Sequence, residues 1–227
     1  MVDLQQRATD PELLDLGVSN EETLRSLADL RFVNRFLGNP GPFTRAVASL
    51  LEGVERPWIL DVGCGSADVP ARLARQLGRP VEVVGLDIKL LHLQAAPPSI
   101  HRVVADVHAL PFPPRSFDVV TASLFMHHFD APQLPGVLRS LFALCRRGLV
   151  VNDLHRARVP YLFGRATFRL LLRSPVSVDD GLVSIRRAFT PEDLRQGFVD
   201  AGIPQVAVRR TWPYRLLATA RASAPRA

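Results

Sequence analysis

The sequence is short of several things, and each shortage narrows what it can be. Two cysteines, Cys64 and Cys145, occur in 227 residues, too few for a disulfide framework. No apolar stretch reaches the roughly 18 residues that a membrane span needs, and the opening MVDLQQRATD lacks the basic and apolar regions of a signal peptide. A cytoplasmic, reduced chain is the expectation. Lysine is nearly missing as well: Lys89 stands alone among 28 basic residues, the rest being Arg. The net charge of +6 is unevenly spread. Residues 1–60 carry 6 basic and 9 acidic groups, residues 61–138 carry 6 and 7, and residues 139–227 carry 16 and 6. The positive excess is confined to the C-terminal third.

About half of the chain is hydrophobic, enough to bury one large core, and the length suits one domain with some additional elements. Residues 21–37 have helical spacing through Leu24, Leu27, Leu30 and Val33, closed by GNPGP. From residue 57 the pattern alternates. Strand candidates are 58–62, 81–87, 101–105, 117–123 and 147–152, with helical candidates at 69–77, 89–95 and 131–145. Such alternation predicts a parallel sheet covered by helices on both faces. The end differs: TPEDL opens a helix over about 191–201 with Thr190 as N-cap, and QVAVRRTW and YRLLATA flank Pro213 as an antiparallel pair. The final RASAPRA reads as a frayed tail.

The chemistry-bearing stretch is ILDVGCGSADVP, residues 59–70. A glycine-rich turn between strand and helix lets backbone approach a ligand and aims a helix N-terminus at it. A dinucleotide turn would want a glycine at position 68, but Asp68 stands there, and its carboxylate would repel a pyrophosphate. A ligand without phosphates is the better expectation. Asp61, Asp87, Asp106 and Asp153 fall at or near the carboxyl ends of successive predicted strands, where open parallel sheets bind ligands. Asp87 lies 22 residues after Gly65, a spacing that suits a carboxylate accepting both ribose hydroxyls. Asp106 is placed to accept from the amine of a purine. A ribose, a base and a cationic arm would satisfy these acids together.

These motifs resemble the class I S-adenosylmethionine-dependent methyltransferases, over about residues 56–155 and more loosely to 220. LDVGCGSAD is similar to the family's acid-x-Gly-x-Gly-x-Gly motif, with Ala67 in place of the third glycine, a departure expected to cost little. VVGLDI matches the ribose-binding strand end, and VVADVHALPFPPRSFDVVTASLFMHHF matches the central stretch of small-molecule and quinone-biosynthesis methyltransferases. The resemblance implies a Rossmann-like seven-stranded α/β sheet, mostly parallel with an antiparallel last strand. It implies S-adenosyl-L-methionine as cofactor, held by Asp61, Gly63, Cys64, Gly65, Asp87, Ile88, Asp106, Val107 and Ala122. The expected division is a helical cap over 1–45 and a methyltransferase domain over 46–222, with a helical insertion at about 156–189.

The acceptor is read largely from absences. After the fourth strand the chain has TASLFMHHF and not the Asn/Asp-Pro-Pro-aromatic signature of nucleobase amino-methyltransferases, and no Pro-Cys nucleophile for cytosine occurs. Nucleic acid is therefore a poor partner, although a basic C-terminal third keeps an RNA or protein methyltransferase as an alternative, alongside a non-catalytic binding module. Clustered carboxylates after strands four and five are missing, Asp130 and Asn152-Asp153 being all there is, so no metal site is expected. A small hydroxylated aromatic or polyketide-like molecule, methylated on oxygen or carbon, fits best. His127 and His128 follow strand four, and His155 follows strand five; an imidazole near pKa 6.5 can take a proton from a phenol or enol. They are the candidate catalytic residues, with His127 favoured. Finally, Arg165, Arg169 and Arg173 recur every four residues beside Leu162, Phe163, Ala166, Leu170 and Leu171. Two readings fit that helical pattern: a solvated Arg face on a helix packed over the domain, or a lid with an apolar inner face and a cationic rim that makes a peripheral membrane contact through residues 156–173.

Overall fold

The computed structural model describes residues 4–38 and 40–222; residues 223–227 of the RASAPRA tail lie outside them. Five strands run parallel: β1 (Trp58–Val62), β2 (Glu82–Asp87), β3 (His101–Val104), β4 (Phe117–Ser123) and β5 (Cys145–Leu154). Two more, β6 (Val206–Thr211) and β7 (Arg215–Arg221), pair antiparallel, and β7 inserts beside β5. Among the described residues the sheet order is β3-β2-β1-β4-β5-β7-β6. The order reverses between β1 and β4, the crevice at which open α/β sheets bind ligands.

Period-two alternation gives each face its own core. Leu60, Val62, Val120 and Leu149 face α6 (Leu134–Ala143) and α9 (Pro191–Asp200), packing on Leu138, Leu194 and Phe198. Ile59, Val83, Val119 and Val150 face α3 (Pro40–Leu50) and α4 (Asp68–Leu77), packing on Val47, Leu50 and Leu73. Neighbours such as Val119 and Val120 are both fully buried, on opposite faces, and each contributes about 1.5–3 kcal/mol of transfer free energy. Thr190 and Asp193 cap α9 reciprocally, a device worth about 1 kcal/mol.

The remaining helices gather over the carboxyl ends of the strands. They are α1 (Leu13–Leu16), α2 (Asn20–Leu37), α5 (Leu90–Gln94), α7 (Arg158–Leu171) and α8 (Pro175–Arg187). Side chains reach across to tie them. Asp180 of α8 accepts the backbone N–H groups of Leu13 and Leu14 at 2.7 and 3.0 Å. Asp29 of α2 accepts those of Arg173 and Ser174 at 2.9 and 2.8 Å. Lys89, the single lysine, reaches the carbonyl of Leu14 from the end of β2.

The elements differ from the spacing in places. β5 starts at Cys145, inside the predicted helix over 131–145, because Cys145 pairs with Phe117 and the sheet ladder outweighs helical propensity. α3 begins at Pro40, inside the glycine- and proline-rich break expected after α2; proline is tolerated in a first turn because its missing N–H has no partner there anyway. The apolar residues expected to line the inner face of α7 point outward. Leu162, Phe163, Ala166, Leu170 and Leu171 are exposed, and Leu170 is 85 % accessible. Gly164 and Phe168 face α8 instead, and a Cβ at Gly164 or Gly181 would stand 2.8 or 2.7 Å from the Phe168 ring. Close approach through two glycines selects that face of the helix.

Candidate active site

A cavity of about 470 Å³ opens over the carboxyl ends of β1, β2 and β4 and runs beneath α1, α2 and α8. One end is built from backbone. β1 turns into α4 through Gly63 (φ +65°) and Gly65 (φ +56°), left-handed conformations that favour glycine. A Cβ at Gly63 would sit 2.1 Å from the Phe125 ring. Ala67 is also left-handed, at φ +55°, which costs an L-residue about 1–2 kcal/mol. The loss of the third motif glycine is therefore not free, contrary to expectation. Asp68 begins α4 and accepts from Asn34 Nδ2 at 3.2 Å, so an acid holds the place where a phosphate would bind.

Asp87 closes β2. Its Oδ2 accepts the Gly65 N–H and its Oδ1 the Lys89 N–H, each at 2.9 Å. His92 Nδ1 stands 3.3 Å from Oδ1, at ion-pair distance but off hydrogen-bond geometry. Burial works against the Asp87 charge, yet His92 and the two amides hold its pKa below the ordinary range. A carboxylate offers about four acceptor sites, so two remain for a vicinal diol. Ile88, 62 % exposed, Asp106 and Val107 stand alongside. Asp61 accepts from Thr121 Oγ1 at 2.6 Å, and its burial raises its pKa to about 7. S-adenosylmethionine suits this end: a ribose for Asp87, an adenine beside Ile88, and an ammonium for Asp61.

The other end is built from side chains. His127 is buried, donating its backbone N–H to Asp153 Oδ2 at 3.0 Å, with Nδ1 2.6 Å from Asp153 Oδ1 and Nε2 3.4 Å from Glu12 Oε1. Burial alone would lower its pKa, but the two carboxylates overcome that and raise it to about 10. His127 thus holds a proton at neutral pH, which corrects its expected part as a neutral base. His128 is more open. Its Nδ1 lies 2.8 Å from Asp15 Oδ2 and its Nε2 3.9 Å from Glu12 Oε2. Glu12 and Asp15 keep lowered pKa values despite burial, because of these imidazoles. Arg7 and Arg187 fasten the turn by donating to the carbonyls of His127, His128 and Phe129. Between the two ends lies Arg215, whose buried guanidinium has Nη1 without a hydrogen-bond partner, as has Ser123 Oγ. Burial lowers the Arg215 pKa to about 10, with Asp153 opposing the shift.

Comparison with known proteins follows the same stretch of chain. Residues 59–148 match a family model described as a methyltransferase domain. Over that stretch, less than half of its length, the chain is similar to the methyltransferase domain family. A 2-phytyl-1,4-naphtoquinone methyltransferase of Nostoc punctiforme is 33 % identical over 126 residues, covering 51 % of this chain and 53 % of that protein. The chain thus spans about half the length of the curated relatives that it matches. A SAM-dependent methyltransferase from Aquifex aeolicus superposes with a TM-score of 0.63 at 15 % identity, over 91 % of this chain and all of that one. Human N-acetylserotonin methyltransferase, solved in complex with SAM, gives 0.65 at 16 % identity, over 90 % and 57 %.

The cavity gathers most of the residues named from the sequence. Asp61, Gly63, Cys64, Gly65, Asp87, Ile88, Asp106, Val107, His127 and His128 all line it. Two do not. Ala122 is fully buried in the core, because the pleat of β4 turns it away and presents Ser123 instead. His155 lies outside the lining, its ring stacked at 6.4 Å on Tyr214. Burial, then Asp61 and Asp87, push the Cys64 thiol far up, so it is no nucleophile. Glu12, Asp15, Asp180 and Arg215 were missed from sequence. The spacing of Glu12 and Asp15 on PELLDL was visible, but nothing in the sequence brings residue 12 to residue 127.

Proposed function

We propose that this methyltransferase transfers the methyl group of S-adenosylmethionine to an oxygen or an enolic carbon of a small hydroxylated aromatic or polyketide-like molecule. The observation that carries the reading is the continuity of the cavity, which joins the glycine turn to the Glu12–His127–His128 cluster through a lining of Leu14, Leu27, Phe129, Phe168 and Leu172. Its volume falls in the range of small-ligand sites. The cofactor brings a methyl group already activated on a sulfonium. The protein's share is alignment and proton handling. Asp87 and Ile88 orient the adenosine, Asp61 takes the ammonium, and Arg215 with Ser123 receives the carboxylate. The apolar walls seat the acceptor ring, with its hydroxyl toward the cluster.

The outward face of α7 supports delivery of a greasy acceptor from a membrane surface. Val159, Leu162 and Leu170 are exposed beside Arg165, Arg169 and Arg173, while Phe168 and Leu172 on the same segment line the cavity. Among the described residues no helix is long and apolar enough to cross a membrane, so any such contact is peripheral. Basic amphipathic helices bind anionic bilayers through apolar burial and charge, and the charge part weakens with salt. Co-sedimentation with anionic vesicles should fall for an Arg165/Arg169/Arg173→Gln variant; equal, negligible binding by both chains counts against the contact. The reaction itself is tested by release of S-adenosylhomocysteine with a panel of phenols and quinols. Cofactor binding without turnover on any of them would leave a binding module, and no cofactor binding would end the reading.

A further inference from the structure

We propose that Glu12, His127 and His128 form a site for one divalent transition-metal ion at the acceptor end of the cavity. Both imidazoles turn Nε2 toward the same carboxylate, at 3.4 Å for His127 and 3.9 Å for His128. One ligand atom from each of the three residues lies within 4.8 Å of the others. An ion there would take the place of the proton that His127 holds toward Glu12, which leaves to solvent, and bonds of about 2.0–2.1 Å to it would draw the three ligand atoms together.

The surroundings are those of a metal site. A ligating imidazole almost always gives its other ring nitrogen to a carboxylate or carbonyl, which fixes the tautomer and the ring plane. Here His127 Nδ1 meets Asp153 Oδ1 at 2.6 Å and His128 Nδ1 meets Asp15 Oδ2 at 2.8 Å. The two outer carboxylates come from segments far apart in the chain and do the same job. Backbone is held as well, since the His127 carbonyl accepts from both Arg7 and Arg187. Glu12 is steadied by Ser184 Oγ at 2.5 Å. Two nitrogens and one oxygen favour a zinc-, iron- or cobalt-type ion over magnesium or calcium, which prefer all-oxygen shells. All three residues line the cavity, so further coordination positions face the acceptor. The sequence expectation of no metal looked for acids after strands four and five; these ligands are imidazoles joined by an acid from residue 12.

The role of the ion rests on the methyl transfer proposed above. An acceptor hydroxyl bound to it gives up its proton to solvent more readily. The oxygen lone pair then forms the bond to the methyl carbon, and the electrons of the sulfur–methyl bond return to sulfur.

Binding of the ion does not depend on that role and is measured without turnover. Metal-free full-length protein is titrated with Co²⁺ and with Zn²⁺, followed by elemental analysis and the visible absorption of low-coordinate Co²⁺. The expected result is about one ion per chain. Glu12→Gln and His128→Ala should each weaken it more than about 100-fold, and Asp15→Asn by about 10–100-fold, the usual loss for an outer partner. His101→Ala, at an exposed histidine on β3, should leave it unchanged. Folding of each variant is checked by its affinity for S-adenosylhomocysteine at the glycine turn. No ion bound by the wild type, or equal binding by the Glu12 and His128 variants, overturns the proposal and leaves an ion-pair strap holding α1. Loss of S-adenosylhomocysteine binding by the wild type would instead strike the methyl-transfer reading and leave the metal count standing.

Discussion

The two ends of the cavity are made in different ways. The cofactor end is assembled around one short stretch: Gly63, Gly65 and Ala67 shape one turn, and Asp87 bonds that turn through the Gly65 N–H. The acceptor end is assembled from residues far apart in the chain, among them Glu12, His127, Asp153 and Asp180. The first depends on backbone conformation and tolerates little substitution in type. The second depends on mutual neutralisation of buried charges, so each member is held only while the others are present. One end of this molecule is robust and general, and the other is tightly coupled and its own.

The coupling can be broken at Asp153, where the largest effect is expected. Asp153→Ala leaves the His127 and Arg215 charges buried without their carboxylate, and breaking such a pair costs about 3–5 kcal/mol. Chemical denaturation should show that loss, while a double replacement with His127→Leu should recover much of it. Recovery by the double variant is the mark of coupling; simple additivity would mean that the two residues act separately.

At the cofactor end the corresponding change is Asp87→Ala. It should weaken S-adenosylhomocysteine by about 1.5–3 kcal/mol, the scale of hydrogen bonds to a charged group, with little effect on metal binding at the cluster. Unchanged affinity by calorimetry would remove Asp87 from the ribose site.

A smaller effect comes from Asp61, whose pKa is raised to about 7 by burial. An ammonium beside it favours the ionised form, so cofactor affinity should rise with pH through 7 and level off above it. Between pH 6 and pH 8 the gain is about tenfold, or about 1.4 kcal/mol. The free protein responds with the opposite sign. Because the folded pKa is raised, the stability tied to neutral Asp61 is present in acid and is lost as pH rises through 7. Calorimetry in buffers of different ionisation enthalpy should detect proton release on binding near pH 6. A flat profile for wild type would place the ammonium elsewhere.

The smallest expected change is at Ala67. Ala67→Gly relieves a left-handed alanine worth about 1–2 kcal/mol but removes a buried methyl worth about 0.8 kcal/mol. Thermal unfolding should show a stabilisation of at most about 1 kcal/mol. A clear destabilisation would mean that packing, not backbone conformation, governs this turn.

How far each part could be read from sequence follows the same division. Strand ends, the glycine turn and the acids at positions 61, 87 and 106 were legible because each belongs to a short stretch whose spacing carries its meaning. The antiparallel end was legible from a proline between two apolar runs. The helix over 158–171 was legible too, but not its orientation. Five apolar residues at helical spacing looked like an inner face, whereas two glycines, Gly164 and Gly181, let Phe168 dock and left Leu162 and Leu170 outside. Likewise His127 and His128 could be seen as candidates, but not that Asp153 and Glu12 would hold a proton on the first.

By itself the sequence determined the sheet, its alternation of cores, and a glycine turn with an acid where a phosphate would bind, because periodicity and turn chemistry act over a few residues. Only the tertiary structure decided the electrostatics of the acceptor end. Residues 12 and 15 meet residues 127 and 128 because Asp180 and Lys89 clamp α1 over the strand ends. Charge pairing of that kind depends on distances of a few ångströms between segments more than a hundred residues apart, and no local pattern encodes it.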